Sequence, residues 1–439
     1  MKQNMLQKVA FGGTLLALAC SAAAVGLSDV GVLSHQPWCG KYDLSVNVSG
    51  IPSGEEYALS FALVEPDGTE HPITMFETEP VVSGNGTHKF VWDAAAELPG
   101  RRIVGAKVRA SCDRFDGSQD IYLVFDLSGG KDATSYPHRY TTQGPDLAND
   151  VCRTTELWLR RVPSGSFMRG NPACVDGKSV STGYLPYHQV NLTKAYYLGV
   201  FELTQQQYYL MEGTWPSYFS YEPDRATRPV EKVSLTGFRG ANSQNGWYDD
   251  SALSAGPLSR LRAKCGFDTL DLPSEAQWER AARAGVEGAT YPWGNDVDSS
   301  RERNSQTPGV TTSVTESTPA AEGGTEKVGM HEPNPWGFYD MGGNVSELST
   351  SGYAYNGKNG MVVADYAGAP YTDPLGPTPE WSERNGGADY TSAVGATVLS
   401  GSWGDYMTSM NVYRRLAIAR SISSGSSNTV GIRLCITCK

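Results

Sequence analysis

The chain has 439 residues, 39% hydrophobic and 19% charged, which is too much apolar material for a disordered chain. At roughly 100–200 residues per domain this makes about two to four domains, two being the simplest division. The 49 Gly and 25 Pro exclude a helical bundle and point to a loop-rich fold. The net charge of −11, with no cluster of Lys and Arg, argues against nucleic acid, whose phosphates need clustered cations.

Lys2 and Lys8, the apolar run Val9 to Ala19 and the small residues Ser21 to Ala24 have the three parts of a secretory signal peptide, residues 1–24. The run is shorter than the ~20 residues a bilayer core needs, and no later stretch suits a membrane span. Two other readings stay open. One is a buried N-terminal helix. The other is lipid modification of Cys20, although Ala17-Leu18-Ala19 is a poor match to the usual Leu-first pattern. The expectation is an exported bacterial protein: secreted, periplasmic or on the cell surface.

Residues 27–130 read as a β-sandwich. Asp43 to Val48, Tyr57 to Val64 and Val104 to Arg109 alternate with period two, and Phe90-Val91-Trp92 and Tyr122 to Phe125 are short β-rich runs. Gly, Pro and Asp clusters separate them, and nothing there gathers an acid, a base and a nucleophile. Residues 131–152 read as a linker, with an ordered strap as the alternative. From 153 to 439 the texture changes. Trp158 to Val162 and Tyr196 to Phe201 read as strands. Thr204 with Gln207, and Ser274 with Gln277, are capping boxes that start two helices. The stretches 286–330 and 349–395 lack strong periodicity, as functional, metal-stiffened or disordered loops do.

Beyond Cys20 the cysteines are Cys39, Cys112, Cys152, Cys174, Cys265, Cys435 and Cys438, an odd set whose pairing sequence does not fix. Cys39 and Cys112 lie in one domain and are candidates for a disulfide. Cys435 and Cys438 form a C-x-x-C, readable as redox or metal-binding. Its place at the C-terminus, with no second such pair, favours a structural role.

The second segment resembles the formylglycine-generating (sulfatase-modifying factor) family over roughly 155–438. The blocks come in the family's order: Pro163 to Gly170, Tyr197 to Gln205, Arg228-Pro229-Val230-Glu231-Lys232-Val233-Ser234, Leu272 to Glu279, Tyr291-Pro292-Trp293-Gly294, Trp336 to Glu347, Gly401-Ser402-Trp403 and Gly431-Ile432-Arg433. The resemblance implies an α+β fold with a C-type-lectin-like core. The first domain is similar to the immunoglobulin-like β-sandwich placed ahead of such domains, on Trp38, Val91-Trp92-Asp93 and Phe125 to Ser128.

The family's oxidase resembles a copper enzyme that holds Cu(I) between two thiolates just after the GSW block, thiolate being the soft ligand this ion selects. Asp405 and Met410 stand at those positions, and no cysteine lies between Cys265 and Cys435. Ser346 replaces the Trp of the family's GNvWE block. Met407 and Met410 read as core filler before they read as a thioether copper site. Some relatives hold iron through a histidine cluster, whereas His35, His71, His88, His138, His188 and His331 are isolated here.

The resemblance also implies a calcium site from the Asp340 side chain, the Gly343 and Val345 carbonyls and the Glu347 side chain, with a solvated glycine turn as the alternative. A second family site would start at Asn304-Ser305, but its later half falls on Ala320-Ala321. The expected cleft is lined by Ser346, Ser402, Trp403, Asp405 and Tyr406. The expected function is a calcium-stiffened binding or structural protein without oxidase activity, taking a protein or glycan ligand. Its binding face would lie on loops 349–395 and 404–412, rich in tyrosine (Tyr353, Tyr355, Tyr366, Tyr371, Tyr390, Tyr406). The alternatives are a formylglycine-generating oxidoreductase that matures sulfatases, or another enzyme using the same cleft.

Overall fold

A computed structural model describes residues 25–36, 39–101, 104–174, 187–240, 256–354, 370–374, 394–418 and 427–439, without the side chains of 352–354, 394–396 and 417–418. The expected signal peptide with Cys20, Trp38, and most of loop 349–395 with Tyr355, Tyr366, Tyr390 and the Tyr353 side chain lie outside the described residues. The chain divides into two compact units: residues 1–124 with 138–144, and residues 125–137 with 145–439. The described residues are mostly sheet with few helices. None of their helices is long and apolar enough to cross a membrane.

The first unit carries β1 (Gly26–Ser34), β2 (Lys41–Ser49), β3 (Tyr57–Val64), β4 (Glu70–Ile73), β5 (Met75–Phe76), β6 (Val81–Val82), β7 (Gly86–Asp93) and β8 (Lys107–Arg114). Strand β9 (Tyr122–Asp126) leads out of it, and β10 (His138–Thr141) returns. Neighbours run β1-β2-β7-β5-β10, all antiparallel, while β3 pairs β4, β6 and β8. The period-two pattern explains the core. Tyr42, Leu44, Val46 and Val48 of β2 are buried, and the residues between them are half-buried. They share one apolar cluster with Leu59 and Phe61 of β3, Phe90 and Trp92 of β7, and Val108 and Ala110 of β8. The Trp92 indole donates to Glu97 Oε2 at 2.7 Å. The last of these strands starts at Lys107 instead of Val104, whose side chain is exposed.

Segment 131–152, expected as a linker, carries β10 and the helical turn Val151–Thr154, and buries Tyr136, Thr141 and Cys152. Its polar composition hides the backbone pairing of Tyr140 with Phe76 and Thr141 with Met75. The Cys39–Cys112 disulfide is not formed: Cys39 is a free thiol whose sulfur donates to the Gln36 carbonyl.

In the second unit, β11 (Glu156–Val162), β14 (Tyr196–Gly199), β21 (Cys435–Thr437) and β15 (Leu270–Asp271) pair antiparallel in that order. The hairpin of β12 (Gly165–Arg169) and β13 (His188–Leu192) takes β17 (Tyr371–Thr372) in parallel. A third sheet runs β19 (Arg415–Ile418), β18 (Val394–Leu399), β16 (Ser346–Ala354), β20 (Val430–Gly431). Both capping boxes form, on helices Gln205–Glu212 and Glu275–Arg283. The second helix buries Ala276, Trp278, Ala281 and Ala282 against Tyr196, Leu198, Trp336 and Phe338. Cys435 lies buried in β21, which accounts for the C-x-x-C as part of a sheet.

Candidate functional site

The site grows from a turn between residue 340 and the start of β16. Asp340 and Asn344 take φ of 56° and 55°, the left-handed region that costs most side chains about 1–2 kcal/mol. A Cβ at Gly343 would sit 2.5 Å from the Arg303 carbonyl oxygen, so only glycine fits this approach. Asn344 ties the turn together: its Nδ2 donates to Glu202 Oε2 at 2.8 Å, and its Oδ1 accepts from the Glu326 amide at 2.9 Å. Glu202 Oε1 accepts from the Val345 amide at 2.9 Å. Asp340 Oδ2 accepts from the Gly329 amide at 2.7 Å, while Oδ1 is buried without a partner.

Two residues past Val345, Glu347 is fully engaged. Its oxygens accept from Arg433 Nε at 2.9 and 3.0 Å, from Arg433 Nη2 at 2.7 Å, and from the Trp278 indole at 2.6 Å. Arg433 also donates to the Gly199, Val200 and Tyr339 carbonyls, so one guanidinium binds the turn to the central sheet. Burial, then the charges of Asp340 and Glu347, hold the Glu202 carboxyl well above the usual range. Burial pushes Asp340 up to about 6, against the Gly329 amide that favours its charged form.

The Gly401-Ser402-Trp403 block lies against the same turn: the Trp403 amide donates to the Asn344 carbonyl at 2.9 Å, and Ser346 Oγ donates to the Ser400 carbonyl at 3.4 Å. Ser400 itself sits at φ 61°. Asp405 is held in place, with Oδ2 accepting from the Ser402 amide and hydroxyl at 3.0 and 2.9 Å and Oδ1 from Arg414 at 3.2 Å. Trp403 is buried, its indole donating to Asn428 O and its ring edge-on to Phe219 at 5.5 Å. Met410 is buried behind Gly401, where a Cβ would lie 2.8 Å from its sulfur. Met407, Met410 and Tyr291 form one apolar cluster under Trp293. Tyr406 points outward, 69% exposed, between exposed Gly404 and Thr408.

A family model described as the Sulfatase-modifying factor enzyme 1-like domain matches residues 147–438. The chain belongs to this family. The Bos taurus protein "Inactive C-alpha-formylglycine-generating enzyme 2" is 32% identical over 148 residues, 30% of this chain and 48% of its own length. The formylglycine-generating enzyme of Thermomonospora curvata is 38% identical over 76 residues, 17% and 25%. The serine/threonine-protein kinase pkn1 of Chlamydia pneumoniae is 39% identical over 85 residues, 19% and 11%. The chain thus spans less than half the length of these relatives. The solved structure of Treponema denticola variable protein 1 aligns over 65% of this chain and 96% of its own, at 19% identity and a TM-score of 0.44.

Within this sulfatase-modifying-factor-type domain, the sequence-predicted residues divide. Asp340, Gly343, Val345 and Glu347 share one turn and strand start, yet Glu347 is committed to Arg433 and Trp278. Ser346, Ser402, Trp403 and Asp405 do gather, joined through Ser400 and Asn344. Among the described residues no three His, Cys, Asp or Glu side chains converge as a metal site. Asn304 of the expected second site spends its amide on the Ser299 and Glu302 carbonyls. Glu202, Glu302 and Arg433 were assigned no role from sequence. The signal was present: Glu202 and Arg433 stand inside the family blocks, as charged residues among apolar neighbours.

Proposed function

We propose that this chain is an exported, non-oxidase member of the sulfatase-modifying factor family, a cation-stiffened binding or structural protein. Its first unit is an immunoglobulin-like sandwich and its second has a C-type-lectin-like core. The observation that carries the reading is the copper position. Asp405, a hard oxygen donor tied to Ser402 and Arg414, and Met410, sealed beneath Gly401, offer no thiolate where the family's oxidase needs two. Matches to a relative named inactive and to relatives named as generating enzymes leave activity to be argued from these residues.

The calcium part of the reading rests on Asp340, a buried carboxylate oxygen without a partner at the edge of a strained turn. Glu347 does not fit as the second carboxylate, because its oxygens already hold the guanidinium. Strain at Asp340, Asn344 and Ser400, all beside the expected cleft, supports a functional surface there. Tyr406 is its exposed anchor toward a protein or glycan ligand. The test is turnover of a sulfatase-type Cys-x-Pro-x-Arg peptide by the full chain with Cu(I), oxygen and reductant, followed by mass spectrometry. No aldehyde is expected. Aldehyde formed over several turnovers would replace this reading with the oxidoreductase one.

A further inference from the structure

His331 and Glu326 meet in the second unit, their side chains 17% and 15% exposed. Both ring nitrogens of His331 face acceptors. Nδ1 lies 2.9 Å from the Ser300 carbonyl oxygen, and Nε2 lies 2.6 Å from Glu326 Oε1. A neutral imidazole carries one N–H and serves only one of them, whereas the imidazolium serves both. Burial opposes the charged ring, but the bond to Glu326 outweighs it and holds His331 above the usual histidine range. Other charges act on this pair. Asp340 faces the ring from the turn, Arg303 Nη1 stands 3.7 Å from Glu326 Oε2, and Glu302 adds a carboxyl near Glu326 and Asp340. Arg301 and Glu332, the neighbours of Ser300 and His331, pair with each other. From Ser300 the same run of chain reaches the cleft loop. The Ser305 amide donates to the Asp405 carbonyl at 2.9 Å, and Gln306 Oε1 accepts from the Met407 amide at 3.0 Å. Tyr406 sits between those two anchored residues.

We propose that His331 is a proton-operated latch on the candidate cleft: its imidazolium ties residues 300–307 to Glu326 and so steadies the loop that carries Tyr406, and loss of the proton frees one end of that tie. This rests on the reading of the Tyr406 face as a binding surface and adds its regulation. The sign follows from the two bonds. Both are kept below about pH 6.5, the ordinary histidine value, and one is lost as pH rises through the higher folded-state value. An exported chain meets the pH of its surroundings, so acid conditions hold the Tyr406 loop firm and alkaline conditions loosen it.

The experiment uses the full chain with nitrogen-15 histidine. Ring-nitrogen NMR follows His331, assigned by its loss in His331→Phe, while hydrogen exchange corrected for the chemical rate follows the Ser305 and Met407 amides. The expected result is an imidazolium that titrates above about pH 6.5, with Ser305 and Met407 losing about threefold or more in protection over the same range. The Cys438 amide, which donates to the Ala195 carbonyl, should keep its protection. Glu326→Gln removes the facing charge and should move the midpoint of both changes to lower pH. His331→Phe should show the loosened exchange at every pH. If His331 titrates but Ser305 and Met407 do not follow it, or if Cys438 loosens equally, the latch falls and the binding reading stands. A ring already neutral at about pH 6 overturns the latch as well. Aldehyde in the peptide turnover test would instead overturn the binding reading and leave these exchange results untouched.

Discussion

Replacing Asn344 tests whether the turn is the keystone of the second unit. Asn344→Ala removes the bond to Glu202, whose carboxyl burial keeps toward its neutral form, a bond worth about 0.5–1.5 kcal/mol. It leaves the Glu326 amide without its acceptor, about 1 kcal/mol at a half-buried group. It also puts a Cβ-bearing residue with no local side-chain bond at φ 55°, about 1 kcal/mol more. The sum is roughly 2.5–3.5 kcal/mol, against about 5–15 kcal/mol for a whole domain. Asn344→Gly loses the same bonds without the backbone strain and should recover about 1 kcal/mol. Asn344→Asp keeps the acceptor for Glu326 but faces Glu202 with a like charge, so its deficit should grow with pH. Guanidinium unfolding fitted with two transitions gives the free energies, and hydrogen exchange of the Glu326 amide reports the lost bond. A cost for Asn344→Ala below about 1 kcal/mol, or glycine no better than alanine, would refute the reasoning.

Four further outcomes follow from the same geometry. Arg433→Met strands Glu347 as a buried unpaired charge and should cost about 3–5 kcal/mol, with Glu347→Gln partly restoring stability in the double variant; additive losses in a double-mutant cycle would contradict the pairing. Met410→Ala should cost about 2–5 kcal/mol as a core cavity, and Cu(I) should not raise the Tm of the unsubstituted chain; a copper-dependent rise would point to a thioether site. Glu231 accepts from the Tyr218 and Phe219 amides, yet burial pushes its carboxyl up to about 7. Its folded-state affinity for a proton is therefore raised, so stability should fall as pH climbs from about 4.5 to about 7, by up to roughly 3 kcal/mol, and Glu231→Gln should flatten that slope in pH-resolved denaturation. Tyr406→Ala, at an exposed position, should change stability by less than about 0.5 kcal/mol while weakening any ligand found for this face.

Local rules carried the sequence reading where one segment contained all the information. Thr204 with Gln207, and Ser274 with Gln277, encode their own hydrogen bonds, and both capping boxes are present. The alternation of β2 encodes its buried face. Order failed to show where partners are remote. Thr141 pairs with Met75, and Glu347 with Arg433, and neither register is written near either residue. The turn at 340–347 was legible as a motif, but its electrostatics were not. Whether Glu347 faces a cation or a guanidinium depends on a residue 86 positions later in the chain. Likewise Met410 reads as a metal-position substitute in the motif and as apolar filler once Tyr291 and Gly401 are placed around it.

The path of the backbone between the units bears on modularity. The chain passes from the first unit at 124, re-enters it at 138 and leaves again at 144. A cut at the start of the matched family segment, residue 147, would strip the second unit of Phe125, which packs edge-on to Phe267 at 5.5 Å, and of Tyr136, whose amide donates to the Lys264 carbonyl. A cut at 124 would instead deprive the first unit of β10. No single break leaves both halves whole, so transplanting either one into a fusion protein calls for a redesigned seam, and recombination at one crossover point would not reshuffle them as independent cassettes.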